Sequence, residues 1–245
     1  MRKLNEMIVK SGGYVYREMI SVFLFSAVSS LVLVPVIFLL PIGVALAVLP
    51  LIYAPLVAGV FHACYQVVSG ERPRLKDVFA GAVRFFLPAA GFGLLCALFV
   101  LILASTWWFY GSKDSMWSWA LAIFQSYFVA MFFVSQVYTL PLIVQERESL
   151  FRAVGRSVKL TVTHPGYTFG AFVQVIALTV LLGLTVVGFA FLFTGTLGIY
   201  ANLITRNLLQ GPEEEQDGRK ELQDSWTLQG RQWPEDKHEL QGAQG

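Results

Sequence analysis

The sequence predicts an all-α protein, a polytopic membrane helix bundle with six transmembrane helices and short amphipathic cytoplasmic helices. Composition is the first reason: 56% of the 245 residues are apolar and 14% are charged, whereas a soluble domain carries about a quarter charged residues. The placement of charge is the second. Four runs lack Asp, Glu, Lys and Arg: 52 residues between Glu18 and Glu71, Phe85 to Ser112, Ser115 to Gln145, and 46 residues between Lys159 and Arg206. A spanning helix needs about 20 apolar residues, so residues 1–206 form the membrane domain and 207–245 a polar tail.

The first run holds two spans. Pro41 cannot continue a helix and marks the turn, which gives helix one as Met19 to Leu40 and helix two as Ile42 to Val68. The next two runs give one span each, Phe86 to Thr106 and Trp117 to Val144. The last run fits two short spans between Tyr167 and Thr205, turning at Gly183 to Gly188; one long tilted helix with a re-entrant piece satisfies the hydropathy as well.

Loop charge sets the orientation. Arg2, Lys3, Lys10 and Arg17 precede helix one, Arg72, Arg74, Lys76 and Arg84 follow helix two, and Arg147, Arg152, Arg156 and Lys159 follow helix four, against Lys113 alone on the other side. The positive-inside tendency then puts both termini in the cytoplasm. Helix one lacks a small-residue cleavage site and reads as a retained signal anchor. The external loop carries Trp107, Trp108, Phe109, Tyr110, Trp117 and Trp119, the composition of an interfacial aromatic belt, although indole rings also suit stacking on carbohydrate.

The two larger basic loops resemble each other at an offset of 75 residues, with five identities in 22 positions from Glu71/Glu146 to Phe92/Tyr167. This suggests a repeated two-span unit, of which Val9-Lys10 before Tyr14 is a degenerate third copy. Each loop has helical periodicity. Leu75, Val78, Phe79, Ala82 and Val83 share one face; Leu150, Phe151, Val154 and Val158 share another, with Arg152, Arg156 and Lys159 opposite. These three cations are the candidates for docking lipid headgroups or an acidic partner. The tail, rich in Gln, Glu, Asp and Gly, is expected to be disordered, with Trp226 and Trp233 as a candidate partner-binding element.

Chemistry inside the spans is sparse. An intramembrane ionisable group is a functional candidate by default, yet no Asp, Glu, Lys or Arg falls in a predicted span. His62 shares a face with Gln66, Gln125 with Gln136, and Gln174 lies in helix five; together they are the candidate lining for a neutral solute, or ordinary interhelical hydrogen bonds. Cys64 and Cys96 lack metal-ligand spacing and read as small buried side chains. No catalytic, cofactor or metal site is expected, and the basic loops lack the aromatic interleaving of nucleic-acid binders.

Pro141-Leu142-Ile143-Val144, Glu146, Ala153, Arg156-Ser157 and Leu160-Thr161, with the stretch Gly59 to Phe79 and its Ser69-Gly70-Glu71 turn, resemble the YesL-like family of small six-helix bacterial membrane proteins. Related six-helix families, among them the membrane domain attached to some glycerophosphodiester phosphodiesterases, share the later motif. The resemblance covers roughly residues 1–206 and implies a bacterial inner-membrane protein associated with carbohydrate uptake. It supplies no catalytic residue, and the Gln-rich tail departs from the usual short ending. The expected function is a non-enzymatic membrane protein assisting or regulating another membrane system such as a transporter. The alternative is a facilitator or permease subunit for a neutral solute; a lipid-acting enzyme built on His62 and His164 ranks last.

Overall fold

A computed structural model describes residues 4–110, 115–185, 188 and 190–210. Among these the regular structure is entirely helical, with no strand. The elements are α1 (Leu4–Arg17), α2 (Met19–Leu39), α3 (Ile42–Val48), a π-helical turn (Leu49–Tyr53), α4 (Ala54–Val68), α5 (Leu75–Arg84), α6 (Phe86–Tyr110), α7 (Met116–Ser135), α8 (Thr139–Gln145), α9 (Leu150–Thr163), α10 (Pro165–Gly183) and α11 (190–210). Residues Arg2–Thr205 form one compact unit, described below. The tail expectations, including Trp226 and Trp233, fall outside the described residues, as do Ser112 and Lys113.

Hydropathy located the long helices and missed their interruptions. α2 follows the expected first span. The second is continuous in the chain but passes through the π turn, where Pro50 lies buried and has no N–H to give to an α-helical ladder. The fourth is broken at Gln136–Tyr138 between α7 and α8. α6 runs four residues past Thr106, so Trp107 to Tyr110 form its last turn rather than a loop. Four helical segments are long and apolar enough to cross a membrane, Gly43–Val68, Phe86–Tyr110, Met116–Gln145 and Pro165–Gly183, and a fifth is added if the bent pair of α1 and α2 counts as one.

The amino-terminal segment is not simply a basic leader. Leu4, Met7, Ile8, Ser11 and Val15 recur every three or four residues, the spacing of one helical face, and α1 buries Met7 and Ser11. It meets α2 at a 92° bend. The same joint occurs three times. A single residue, Glu18, Phe85 or His164, separates an amphipathic helix (α1, α5, α9) from the apolar helix that follows (α2, α6, α10). Their backbones are alike, with φ, ψ of −111°, 32° at Glu18, −100°, 16° at Phe85 and −130°, 63° at His164. Each corner residue still donates to the carbonyl four residues back at 2.9 Å and accepts from the amide four residues on at 3.0 Å. The corner residue itself therefore keeps both its amide and its carbonyl paired, where apolar surroundings would penalise an unpaired group.

The helices differ in depth. The most apolar stretches of Phe86–Tyr110 and Pro165–Gly183 bury 11% of their residues, against 39% for Gly43–Val68 and 50% for Met116–Gln145. α4, α8 and α11 up to Thr205 thus form the interior, flanked by α6 and α10. The closest seam joins α4 to α5. A Cβ on Gly59 would collide with the Val78 carbonyl oxygen and lie 2.9 Å from the Ala82 nitrogen, and one on Gly81 would lie 3.0 Å from the His62 ring. Gly155 in α9 has nothing within 4 Å of an added Cβ.

Gly59→Ala is accordingly expected to destabilise the protein by about 1–3 kcal/mol, the usual cost of overpacking. Gly155→Ala is expected to be neutral or to stabilise by up to about 1 kcal/mol through helix propensity. Thermal unfolding of both variants in one detergent compares them; equal effects would mean that α5 is not held by backbone contact at Gly59.

Candidate functional site

Two regions concentrate polar chemistry, the interior of the helical unit and its basic surface. In the interior the polar side chains join helices in local pairs. Asn202 of α11 is fully buried; its Nδ2 donates to the Phe61 carbonyl at 3.0 Å and to the Gly198 carbonyl at 2.8 Å. Gln145 at the end of α8 donates Nε2 to Asn202 Oδ1 at 2.8 Å and to its carbonyl at 3.1 Å. One amide therefore ties α4, α8 and α11 together. Tyr138 donates to Thr168 at 3.0 Å, joining the α7–α8 break to α10. Ser29 donates to Thr194 at 2.9 Å, Ser30 donates to the Ala190 carbonyl, and Ser26 Oγ accepts the Gly195 N–H at 2.8 Å, fastening α2 to α11.

The expected solute lining is divided among these pairs. Gln136 lies just past the end of α7, its backbone turned out of helical geometry (φ −97°, ψ 6°), so it no longer shares a helix face with Gln125. Its Oε1 accepts from Thr139 Oγ1 at 2.6 Å and its Nε2 donates to Ser135 Oγ at 3.0 Å. Gln174 accepts from the Tyr200 hydroxyl at 2.5 Å and donates to Asn5 at 3.4 Å, linking α10, α11 and α1. Gln125 is half-buried in α7. His62 packs edge-on against Phe85, ring centroids 5.5 Å apart. Its Nδ1 and the Oε1 of Gln66 are buried without a hydrogen-bond partner. An apolar recess of about 270 Å³ lies between the π turn and α6, with Leu46, Leu49, Pro50, Tyr53, Cys96 and Val100 among its walls. Carbon walls offer a sugar no hydrogen bonds, and none of the five candidate polar residues borders it.

Asn202 and Gln145 escaped the sequence reading, because Asn was not weighed and Gln145 falls one residue past the predicted span Trp117 to Val144. The available signal was an Asn inside an apolar helix, where an unpaired amide is costly. Cys64 is buried and Cys96 half-buried, and neither is in a disulfide. Among the described residues no group of His, Cys, Asp and Glu could hold a metal ion.

The surface helices carry the cations. In α9, Ala153 and Ser157 face inward, Ser157 donating to the Ser135 carbonyl at 2.5 Å. Phe151 and Val162 are exposed with Arg152 and Lys159 beside them. Arg156 departs from the expected docking trio. Its Nη1 lies 2.7 Å from Glu148 Oε1 and 3.7 Å from Glu146 Oε2. The reason is the turn at Arg147, whose φ of 53° returns both carboxylates to the helix. Trp107 Nε1 donates to Ser126 at 3.0 Å and meets Trp119 edge-on at 6.0 Å, so part of the aromatic belt also joins α6 to α7.

This fold defines a class: an all-helical chain with four or five helices able to cross a bilayer, consistent with a membrane protein. No protein family, curated protein or solved structure matches the chain.

Asn202→Leu removes three side-chain hydrogen bonds, to Phe61, Gly198 and Gln145, and leaves Gln145 only the backbone carbonyl of residue 202, which loosens the joint between α4 and α8. The expected loss is about 1–3 kcal/mol, from buried hydrogen bonds worth about 0.5–1.5 kcal/mol each. Gln174→Leu leaves the Tyr200 hydroxyl to find a new partner and is expected to cost less, nearer 0.6 kcal/mol, the mean for interhelical hydrogen bonds in membranes. Unfolding in mixed micelles ranks them; the reverse order would remove Asn202 from its central place.

Proposed function

We propose that this chain is a non-enzymatic integral membrane protein that assists or regulates another membrane system, with α9 as its docking surface. The observation that carries the reading is the use of the interior polar groups: Asn202, Gln145, Gln136, Gln174 and Tyr138 are each hydrogen-bonded within the protein, in separate local joints instead of along a shared path. Arg152 and Lys159 remain exposed beside an apolar stripe, a surface suited to an acidic segment of a partner such as a transporter. Arg156, held by its two glutamates, positions the turn before α9.

The proposal includes six spans in the bacterial cytoplasmic membrane with both termini inside. Residues 190–210 supply the last span, and α1, α5 and α9 lie on the cytoplasmic face. Three copies of one unit, a surface helix, a one-residue corner and a pair of spans, account for this arrangement. Supporting the repeat, Leu75 and Leu150 each open a surface helix 75 residues apart, and Val78 and Ala153, at the same offset, are both fully buried. A place within the YesL-like group, and a link to carbohydrate uptake, follow from the motif resemblance and form part of the proposal.

Two measurements test it. A photo-crosslinking residue at Gly155 is expected to give a discrete adduct with a membrane protein in cells, lost in Arg152→Glu/Lys159→Glu and retained in Arg156→Gln. Proteoliposomes are expected to show no sugar flux; flux that fell on Gln136→Leu would replace this reading with the facilitator alternative. For orientation, with both native cysteines changed to Ala, Ser149→Cys is expected to label only from inside and Ser115→Cys only from outside.

A further inference from the structure

The approach to α5 differs from α9 in that its cations make no ion pair among the described residues, Arg84 lying instead over the Phe85 ring, 5.8 Å from its centroid. Arg72, Arg74, Lys76 and Arg84 are all exposed. Of the two nearby acids, Asp77 is committed to the helix start, where its carboxylate accepts the Arg74 N–H at 2.6 Å; Glu71 is exposed. The segment thus presents a surplus of positive charge.

The charge lies beside an apolar stripe. Val78 and Gly81 face α4, while Leu75, Phe79 and Val83, four residues apart, point away from the bundle, Val83 being 78% exposed. Past the corner at Phe85, Phe86 and Leu87 at the start of α6 are exposed as well, Leu87 by 81%. α6 is long and apolar enough to enter a bilayer, so on the membrane reading exposed apolar side chains flank the corner on both the surface helix and the span that follows. A soluble protein could not cover Leu87 without entering the membrane. A lipid covers both parts: acyl chain against the stripe, and headgroup phosphate against the cations.

We infer that residues 72–84 form a binding surface for anionic phospholipid headgroups, with Arg72, Arg74, Lys76 and Arg84 holding phosphate and Leu75, Phe79 and Val83 inserted at the acyl boundary. Juxtamembrane cations attract anionic lipid by roughly fivefold each, so four of them yield a preference for anionic over zwitterionic lipid that salt weakens. The inference is independent of the partner surface proposed on α9.

The test uses the full-length protein in uncharged detergent, titrated separately with phosphatidylglycerol and phosphatidylcholine, with bound lipid counted by native mass spectrometry. The expected result is retention of phosphatidylglycerol at least about fivefold tighter, lost in Arg72→Gln/Arg74→Gln/Lys76→Gln/Arg84→Gln and kept in Arg152→Gln/Lys159→Gln. All the altered residues are exposed, so the thermal transition should be retained. If the fourfold variant does not fold, Lys76→Gln/Arg84→Gln is expected to show an intermediate preference. Equal retention of the two lipids by the unaltered protein, or a preference untouched by removal of the α5 cations, would overturn the inference. So would a preference lost only in the α9 variant, which would move the lipid site to the partner surface.

Discussion

Hydrocarbon offers no hydrogen-bond partner, so every amide and hydroxyl within an apolar helix must be satisfied by another part of the chain. Asn202 meets that demand for three helices at once: it donates to α4 at Phe61 and within α11 at Gly198, and it accepts from Gln145 of α8. Apolar contact alone gives weak direction to helix pairing in such surroundings, because lipid tails are as apolar as leucine. Close backbone approach at Gly59 and stacked rings such as Phe99 on Phe132, 3.7 Å between centroids, supply packing. The polar joints select which helices meet.

The same constraint shapes the surface. A chain that passes from a helix lying flat to one standing upright risks exposing unpaired amides at the bend. Glu18, Phe85 and His164 each keep backbone hydrogen bonds to both sides. Phe79 and Val83, Phe151 and Val162 are exposed, with cations alongside. A helix carrying such a pair of faces is suited to an interface between water and lipid.

The proposed function rests on how polar groups are distributed between interior and surface. Inside, Gln136, Gln174 and Asn202 have committed partners, and displacing one to bind a solute would break a joint. The exceptions among the described residues are Ser11 Oγ, His62 Nδ1, Gln66 Oε1, Glu148 Oε2 and Thr205 Oγ1, buried without a hydrogen-bond partner, His62 lying against Phe85 at the corner. On the surface, the two basic helices differ. α9 has one arginine neutralised by Glu146 and Glu148, whereas the cations around α5 make no ion pair among the described residues. That difference in pairing is why an acidic partner is proposed for α9 and anionic headgroups for α5.

Long charge-free runs specified helical segments by themselves, because a stretch without charge and of sufficient length has few alternatives. The start of α2 at Met19 and of α6 at Phe86 was legible for that reason, whereas the amphipathic character of α5 and α9 was legible from helical periodicity within the charged loops. Tertiary structure decided the rest. Periodicity cannot report that Arg147 turns left-handed and hands two carboxylates to Arg156, nor that Gln136 leaves its helix for Thr139. It was silent on Asn202 as the meeting point of α4, α8 and α11. Each of these depends on partners distant in sequence or on one backbone angle, whereas hydropathy averages over neighbours and retains neither.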